Sequence, residues 1–275
     1  MPKLLTQGGY KIYYQALNKS EIGSKPTLVF LHGWVLDWTC FKKEIQFFKR
    51  KGYPIVYMDL RGHGKSDKPD KLEDYHLDLM MNDVYQILKK VGVKKSILIG
   101  YSMGGMIACL LSLKFPKLVK KLVLIDSSYE SILSSSKIPF FHRHRKIAKL
   151  LATFIVNHTK VKKHFGPVKD FDFSNLGKKP DWDIAIDSIL HASLHAWVAT
   201  FEAMFDYDLR GKLSNIKAPT LVIGSTNDQL FSAKLERLFA KKINGSKSII
   251  DKGTHTLIIK EPIEVEHQIY DFILS

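Results

Sequence analysis

Short, unbroken apolar runs alternate with helical patterns along the first half of the chain, and this alternation constrains the fold most. The runs cover residues 27–31, 55–58, 96–99 and 122–125. A strand that is apolar at every position suits a sheet covered on both faces. Strands separated by helices form right-handed parallel units. We therefore predict an α/β fold with a mostly parallel, twisted sheet and helices on both faces.

The alternation stops after residue 126 and resumes near residue 218. Residues 127–209 show helical patterns and turn formers but no clear apolar strand, whereas residues 218–224 read as a strand again. An alternating stretch near the amino terminus predicts an edge hairpin, which supplies the first two strands. This order predicts one α/β core, residues 1–126 and 210–275, with residues 127–209 inserted as a helical segment after the sixth strand.

The sequence Gly100-Tyr101-Ser102-Met103-Gly104-Gly105 lies between a predicted strand and a helix predicted over residues 106–115. A serine at such a turn holds its hydroxyl out at the carboxyl edge of the sheet, and glycines beside it avoid collisions with neighbouring backbone. The pattern alone also fits a surface turn with a passive serine. Its position between strand and helix makes Ser102 a candidate nucleophile.

Two later residues, Asp228 and His255, follow predicted strands and could complete a catalytic group with the serine. A serine hydroxyl attacks well near neutral pH only when an imidazole takes its proton, and that imidazole needs a carboxylate to fix its tautomer. Asp126 also ends a predicted strand and competes with Asp228 as the acid. Taken singly, each residue also fits an ordinary turn aspartate or surface histidine.

The formal charge of the 275 residues is +15, which raises the question of a polyanionic partner. Part of the excess is local, because residues 127–179 carry a net +8 and residues 180–210 a net −5. No RNA- or DNA-binding motif accompanies the charge, so we predict no nucleic-acid partner. The oligomeric state stays open.

The two cysteines, Cys40 and Cys109, lie in apolar helical patterns, which favours buried free thiols in a reducing compartment. We find no signal-peptide core and no apolar run near the ~18 residues of a membrane span. We therefore expect a cytoplasmic protein without stable membrane insertion. His191 and His195 could share a helix face, but Ala192 stands where the zinc-binding His-Glu-x-x-His pattern has glutamate, so we predict no metal site.

Five stretches together resemble the α/β-hydrolase fold superfamily, in its capped serine esterase and lipase-like branch. They are His32-Gly33-Trp34 and residues 59–69, 100–105, 224–228 and 253–262. The resemblance implies the chain order nucleophile, acid, base, which Ser102, Asp228 and His255 follow. It also implies that the insertion is a cap, and that the main-chain N–H groups of Trp34 and Met103 form an oxyanion hole.

The resemblance further implies a hydrolase without a cofactor, which cleaves a carboxylic ester or related acyl bond of a small molecule through an acyl-serine intermediate. Candidate pocket residues are Trp34, Tyr101, Phe141 and Trp197. Perhydrolysis, C–C bond hydrolysis and lactone opening use the same triad and stay open, as do a lipase at a membrane surface and a non-catalytic ligand-binding protein. The serine argues against haloalkane dehalogenases and epoxide hydrolases, whose nucleophile is an aspartate.

Overall fold

The computed structural model describes residues 2–135, 145–158, 172–191 and 193–275. Its strands are β1 (Lys3–Leu5), β2 (Lys11–Leu17), β3 (Thr27–Leu31), β4 (Ile55–Met58), β5 (Ser96–Tyr101), β6 (Val119–Ile125), β7 (Thr220–Ser225) and β8 (Lys247–Asp251). They form one sheet in the order β1-β2-β4-β3-β5-β6-β7-β8. β2 pairs antiparallel with both β1 and β4, and all pairs among β3 to β8 are parallel. The predicted fold class is confirmed.

Helices cover both faces of the sheet. They are α1 (Lys42–Arg50), α2 (Leu77–Val91), α3 (Met103–Lys114), α4 (Ile132–Ser135), α5 (Arg145–His158), α6 (Asp181–His191), α7 (Leu194–Ala203), α8 (Ala233–Lys242), α9 (Leu257–Lys260) and α10 (Pro262–Leu274). Along β3, Val29 and Leu31 join the core under α2, α3 and α8, while Leu28 and Phe30 join the core under α1 and α10. The unbroken apolar run therefore reflects a strand buried on both sides.

The two ends of the segment between β6 and β7 lie side by side. There the Leu209 N–H donates to the Tyr129 carbonyl at 2.8 Å, and Glu130 forms an antiparallel bridge with Asp208. Within this segment His191 ends α6 and Leu194 begins α7, and the Ser193 hydroxyl caps α7. His191 and His195 consequently lie on different helices, and the shared face considered from sequence does not exist.

Two sequence predictions concern the environment of the chain. Cys40 and Cys109 are both buried and free, as predicted. In the part of the chain that the structure describes, we find no helix with the length and apolar character to cross a bilayer.

Candidate active site

Ser102 occupies the tight turn between β5 and α3, at the carboxyl end of the parallel strands. Its backbone has φ 51° and ψ −118°, a conformation that residues with a side chain rarely adopt. The Ser102 N–H donates to the Ile125 carbonyl at 2.9 Å, and the Ser127 hydroxyl donates to the Ser102 carbonyl at 2.8 Å. These bonds to the end of β6 hold the strained turn in place.

The packing around this turn requires glycine at two positions. A Cβ on Gly104 would lie 2.0 Å from the Leu31 carbonyl oxygen, and a Cβ on Gly100 would lie 2.5 Å from the Gly104 carbonyl oxygen. Both distances are far below van der Waals contact with backbone that cannot easily move. The glycines are therefore needed because α3 begins directly against β3 and β5.

The ring of His255, in the loop between β8 and α9, bridges Ser102 and Asp228. Its Nε2 lies 3.1 Å from the Ser102 Oγ, and its Nδ1 lies 2.7 Å from the Asp228 Oδ2. The N–H groups of Leu230 and Phe231 donate to the other carboxylate oxygen of Asp228 at 2.6 and 3.0 Å. Asp228 is fully buried, so these bonds fix its carboxylate toward the imidazole.

Two main-chain hydrogen bonds tie together the loops that carry the acid and the histidine. The Thr226 N–H donates to the Asp251 carbonyl at 2.9 Å, and the Asn227 N–H donates to the Gly253 carbonyl at 2.8 Å. They extend the parallel pairing of β7 and β8 beyond the strand ends. This extension brings two side chains that are 27 positions apart within hydrogen-bond distance.

Opposing effects set the pKa of His255. Burial lowers it, but the charge of Asp228 and the hydrogen bond to Asp228 outweigh burial, with smaller contributions from Asp126 and Asp181, so the pKa is raised above 6.5. A base with a raised pKa takes a proton from a hydroxyl with a larger driving force. The arrangement therefore suits proton transfer from Ser102.

Asp126, the competing acid, ends β6 beside this group but is not the carboxylate bonded to the imidazole. It is fully buried, and its backbone has φ 42°. Burial raises its pKa from 3.8 to about 8, with His255 lowering the pKa and Asp228 raising it. The hydrogen-bond geometry thus favours Asp228 as the acid and leaves Asp126 as a protonated neighbour near neutral pH.

Three side chains of this group are also close enough together to share a metal ion. One possible ligand atom from each of Asp126, Asp228 and His255 lies within 4.8 Å of the other two. However, both ring nitrogens of His255 already point at Asp228 and Ser102. A metal on this group would have to replace one of those hydrogen bonds. The donor set therefore fits proton transfer better than metal binding.

The loop after β3 lies beside the serine, and a buried histidine fixes its shape. A Cβ on Gly33 would lie 3.3 Å from the Ser102 Cβ. The Nδ1 of His32 lies 2.8 Å from the Gly33 carbonyl, and its Nε2 accepts from the Leu60 N–H at 2.9 Å. Burial lowers the pKa of His32 well below 6.5, so the ring is neutral and donates from Nδ1.

The predicted oxyanion donors flank this turn. Met103 begins α3, where a main-chain N–H has no acceptor within the helix, and Trp34 lies one residue beyond Gly33. Within the described ranges neither N–H has a hydrogen-bond acceptor. Both are therefore available to a developing negative charge.

Aromatic side chains join this loop to the inserted segment. The Trp34 ring stacks on Trp197 and Phe201 of α7, with centroid distances of 5.9 and 4.7 Å, and its Nε1–H donates to the Trp197 carbonyl at 3.0 Å. Trp34 and Trp197, two of the predicted pocket residues, are thus brought together. Phe141, a third, lies outside the described residues.

Tyr101, the remaining predicted pocket residue, lies beneath the loop after β3. Its side chain is buried under Gly33 and packs edge-on against Phe41, and its hydroxyl donates to the main-chain carbonyl of His255. It therefore supports the histidine loop from the core side, and its place in the substrate pocket stays a prediction.

Sequence reasoning missed a contact between the insertion and the histidine loop. Asp181, in the first turn of α6, accepts from the Thr256 hydroxyl and from the Lys260 ammonium, each at 2.6 Å. Thr256 directly follows His255. Nothing in the sequence pairs residues 75 positions apart, although an aspartate directly after Pro180 is a typical helix start.

Comparisons with known proteins agree with this architecture. A family model described as alpha/beta hydrolase fold matches residues 26–262. The AB hydrolase superfamily protein YisY of Bacillus subtilis is 28% identical over 222 residues, which cover 79% of this chain and 81% of the relative. Epoxide hydrolase 4 of Mus musculus is 24% identical over 297 residues, covering 98% of this chain and 78% of the relative. The crystal structure of the enol-lactonase from Burkholderia xenovorans LB400 has a TM-score of 0.77 at 20% identity and covers 100% of both chains.

Proposed function

The chain belongs to the α/β-hydrolase fold family, and on this premise we propose that it is a serine hydrolase that cleaves a carboxylic ester or related acyl bond. The observation that supports this most is the series of hydrogen bonds from the Ser102 hydroxyl through His255 to buried Asp228. These three groups supply a nucleophile, a base and an acid to orient the base. The proposed reaction uses water and no cofactor.

In the first half of the proposed reaction, the enzyme transfers the acyl group to Ser102. The Oγ attacks the carbonyl carbon of the ester while His255 Nε2 takes its proton. The N–H groups of Trp34 and Met103 stabilise the resulting oxyanion. His255, now a cation beside Asp228, donates the proton to the alkoxy oxygen, so the alcohol leaves and acyl-Ser102 remains.

In the second half, water replaces the alcohol. His255 takes a proton from the water as its oxygen attacks the acyl carbonyl, and the same donors bind the second oxyanion. Collapse of this intermediate breaks the bond to Ser102, whose Oγ regains the proton from His255. The sum is ester plus water to acid plus alcohol, and the enzyme returns to its starting state.

The serine also distinguishes this chemistry from epoxide opening, despite the similarity to Epoxide hydrolase 4. Attack of a serine hydroxyl on an epoxide would leave an ether on Ser102. An ether has no carbonyl for water to attack, so such an enzyme would stay blocked after one event. An acyl-serine ester is hydrolysed by the same His255 and oxyanion donors that formed it.

We further propose that residues 127–209 act as a cap on a core formed by residues 1–126 and 210–275. Support comes from the pairing of the two ends of this segment at Tyr129 and Leu209 and from the contacts of Trp197 and Asp181 with core loops near the serine. Such a cap would shield the acyl-enzyme and shape the substrate pocket.

Hydrolysis of p-nitrophenyl esters of increasing chain length tests the proposed function. We expect Ser102→Ala and His255→Ala each to lose at least ~10³-fold in kcat/KM. Ser214→Ala, which changes an exposed serine at the amino-terminal side of β7, should retain full activity. Equal turnover by Ser102→Ala and the parent protein would overturn the proposal. A lactone and styrene oxide complete the panel, and we expect no turnover of the epoxide.

A further inference from the structure

Lysines collect at the amino-terminal edge of the parallel sheet, opposite to the edge that carries Ser102. Strands β3 to β8 run in the same direction, so the loops that precede them share this edge. The Thr27 N–H at the start of β3 donates to the Lys95 carbonyl at 2.9 Å, which brings the entries of β3 and β5 side by side. Lysines scattered along the sequence are consequently neighbours in space.

Three shallow depressions adjoin one another on this edge, and every charged side chain that lines them belongs to lysine. The first is lined by Lys89, Lys114, Lys117 and Lys94, and it shares Lys94 with the third. Among the described residues, no aspartate, glutamate or arginine lines any of the three. Their aqueous surface is therefore of one sign.

The second and third depressions share Lys25 and Lys120. The second adds Lys51 and Lys121, and the third adds Lys95. Because each depression shares a lysine with another, the nine lysines form one continuous surface, which we call the lysine face. Like charges on one surface add their potentials over distances within the Debye length of ~8 Å at physiological salt.

Little of this charge is neutralised within the molecule. Of the ion pairs among the described residues, only that of Lys25 with Glu21, at 3.6 Å, involves the lysine face. The Lys121 ammonium donates instead to main-chain carbonyls near the end of α10. Burial, together with the charges of Lys120 and Lys247, lowers the pKa of Lys121, as expected where like charges crowd.

The distribution of charge between the segments agrees with this location. Residues 127–210 sum to a net +3, because the acidic stretch after residue 179 offsets most of the basic stretch before it. The remaining residues carry a net +12. The excess therefore belongs to the core, where the lysine face lies, and not to the inserted segment that stands out in the sequence.

The side chains of the face favour a phosphate-rich surface over a nucleic acid. The aromatic rings there already have partners, since Tyr85 stacks on Phe115 at 3.8 Å and Lys51 lies over Tyr270 at 4.9 Å. Single-stranded nucleic acids need open aromatic faces for base stacking, and base readout relies on bidentate groups such as arginine. Lysine is a compact point charge on a mobile stem, which suits loosely spaced phosphates.

We propose that the lysine face binds the surface of an anionic phospholipid bilayer. Binding is electrostatic, requires no membrane-spanning helix, and weakens as salt rises. Since Ser102 lies at the opposite edge of the sheet, the bound molecule keeps its active-site edge toward the aqueous phase. This inference does not depend on the proposed ester hydrolysis.

Cosedimentation with large unilamellar vesicles tests the proposal. The vesicles are phosphatidylcholine alone, or phosphatidylcholine with about one third phosphatidylglycerol. The face variant carries Lys94→Glu, Lys117→Glu and Lys120→Glu, which are all exposed. The control variant makes an equal change of charge at exposed Lys43, Lys178 and Lys234, which do not line the three depressions. Circular dichroism and thermal unfolding establish that both variants fold.

We expect the parent protein to bind the anionic vesicles and to dissociate as salt is raised. The face variant should lose at least ~100-fold in its partition coefficient, and the control variant much less. Equal losses in the two variants, or equal binding to neutral vesicles, would overturn the proposal. So would absence of binding to the anionic vesicles at low salt, and tight binding of a duplex DNA oligonucleotide in that case would reassign the face to nucleic acid.

Discussion

A carboxylate oxygen of Asp126 lies within 4.8 Å of a ring nitrogen of His255, although Asp228 holds the hydrogen bond to that ring. The two acids end the neighbouring strands β6 and β7. Because burial raises the pKa of Asp126 to about 8, this second carboxyl is mostly neutral at pH 7. We therefore predict that Asp126 acts as a second acid when Asp228 is lost, and that it is charged mainly in alkaline solution.

Replacing Asp228 by alanine should leave a weak activity that depends on Asp126. At neutral pH we expect a loss of about 10⁴-fold in kcat/KM, the size seen when a triad loses its acid. The residual activity should rise toward about pH 9 as Asp126 ionises, and loss of Asp228 itself favours that ionisation. A pH profile of the double variant Asp228→Ala, Asp126→Asn is the check. If the activity of the double variant rises with pH as steeply as that of the single variant, Asp126 does not replace Asp228 as the acid.

The acid limb of the pH–rate profile should reflect the raised pKa of His255. Only neutral His255 can accept the proton of Ser102, so kcat/KM should rise with pH through a midpoint above 6.5. In the double variant Asp228→Asn, Asp126→Asn, in which Asp126 cannot replace the lost acid, the residual activity should have its midpoint at lower pH, because the charges that raise the pKa of His255 are gone. An unchanged midpoint in that variant would show that another group controls the limb.

The same pKa shift predicts a change of stability with pH. A group whose pKa is raised on folding stabilises the folded state fully below its unfolded pKa of about 6.5, and this contribution disappears as pH rises through the folded pKa. The Tm difference between the parent protein and His255→Gln should therefore be largest below about pH 6.5 and shrink as the pH rises beyond it. Thermal unfolding across this range measures it, and a constant or growing difference would contradict the linkage.

Gly104→Ala should destabilise the protein by about 3 kcal/mol or more, because its Cβ would lie 2.0 Å from the Leu31 carbonyl oxygen. Gly245→Ala is the matched control. Gly245 has φ 71°, but no atom lies within 4 Å of a Cβ added there. This substitution should therefore lower the free energy of unfolding by only about 1 kcal/mol. Denaturant unfolding compares the two. Similar losses in both variants would show that the elbow accommodates a methyl group.

The sequence predicts those features that follow from the environment of single strands. Residues 27–31 are apolar throughout, and β3 is buried on both faces. Parallel strands carry their carboxyl ends to one edge, so Ser102, His255 and either Asp228 or Asp126 can be expected there, and the family resemblance favours Asp228. The helix after Ser102 begins at Met103 and not at residue 106, because tertiary packing overrides the low helix propensity of two glycines.

Other features depend on contacts between distant segments, which one sequence does not specify. The Asp181 bonds to Thr256 and Lys260 cross from the insertion to the core. Tyr101 is covered by the loop at Gly33, which a strand pattern cannot show. The lysine face combines residues from separate loops, so its charge looks scattered along the chain and becomes a surface only after folding.

The most direct test of the proposed chemistry is reaction with a fluorophosphonate, whose phosphorus is attacked by an activated serine hydroxyl with loss of fluoride. Mass spectrometry of the labelled protein should find one adduct, on the peptide that contains Ser102. Labelling should disappear in Ser102→Ala, become much slower in His255→Ala, and stay unchanged in Ser214→Ala. Labelling that persists in Ser102→Ala, or a folded parent protein that does not react, would contradict an activated nucleophile at this site.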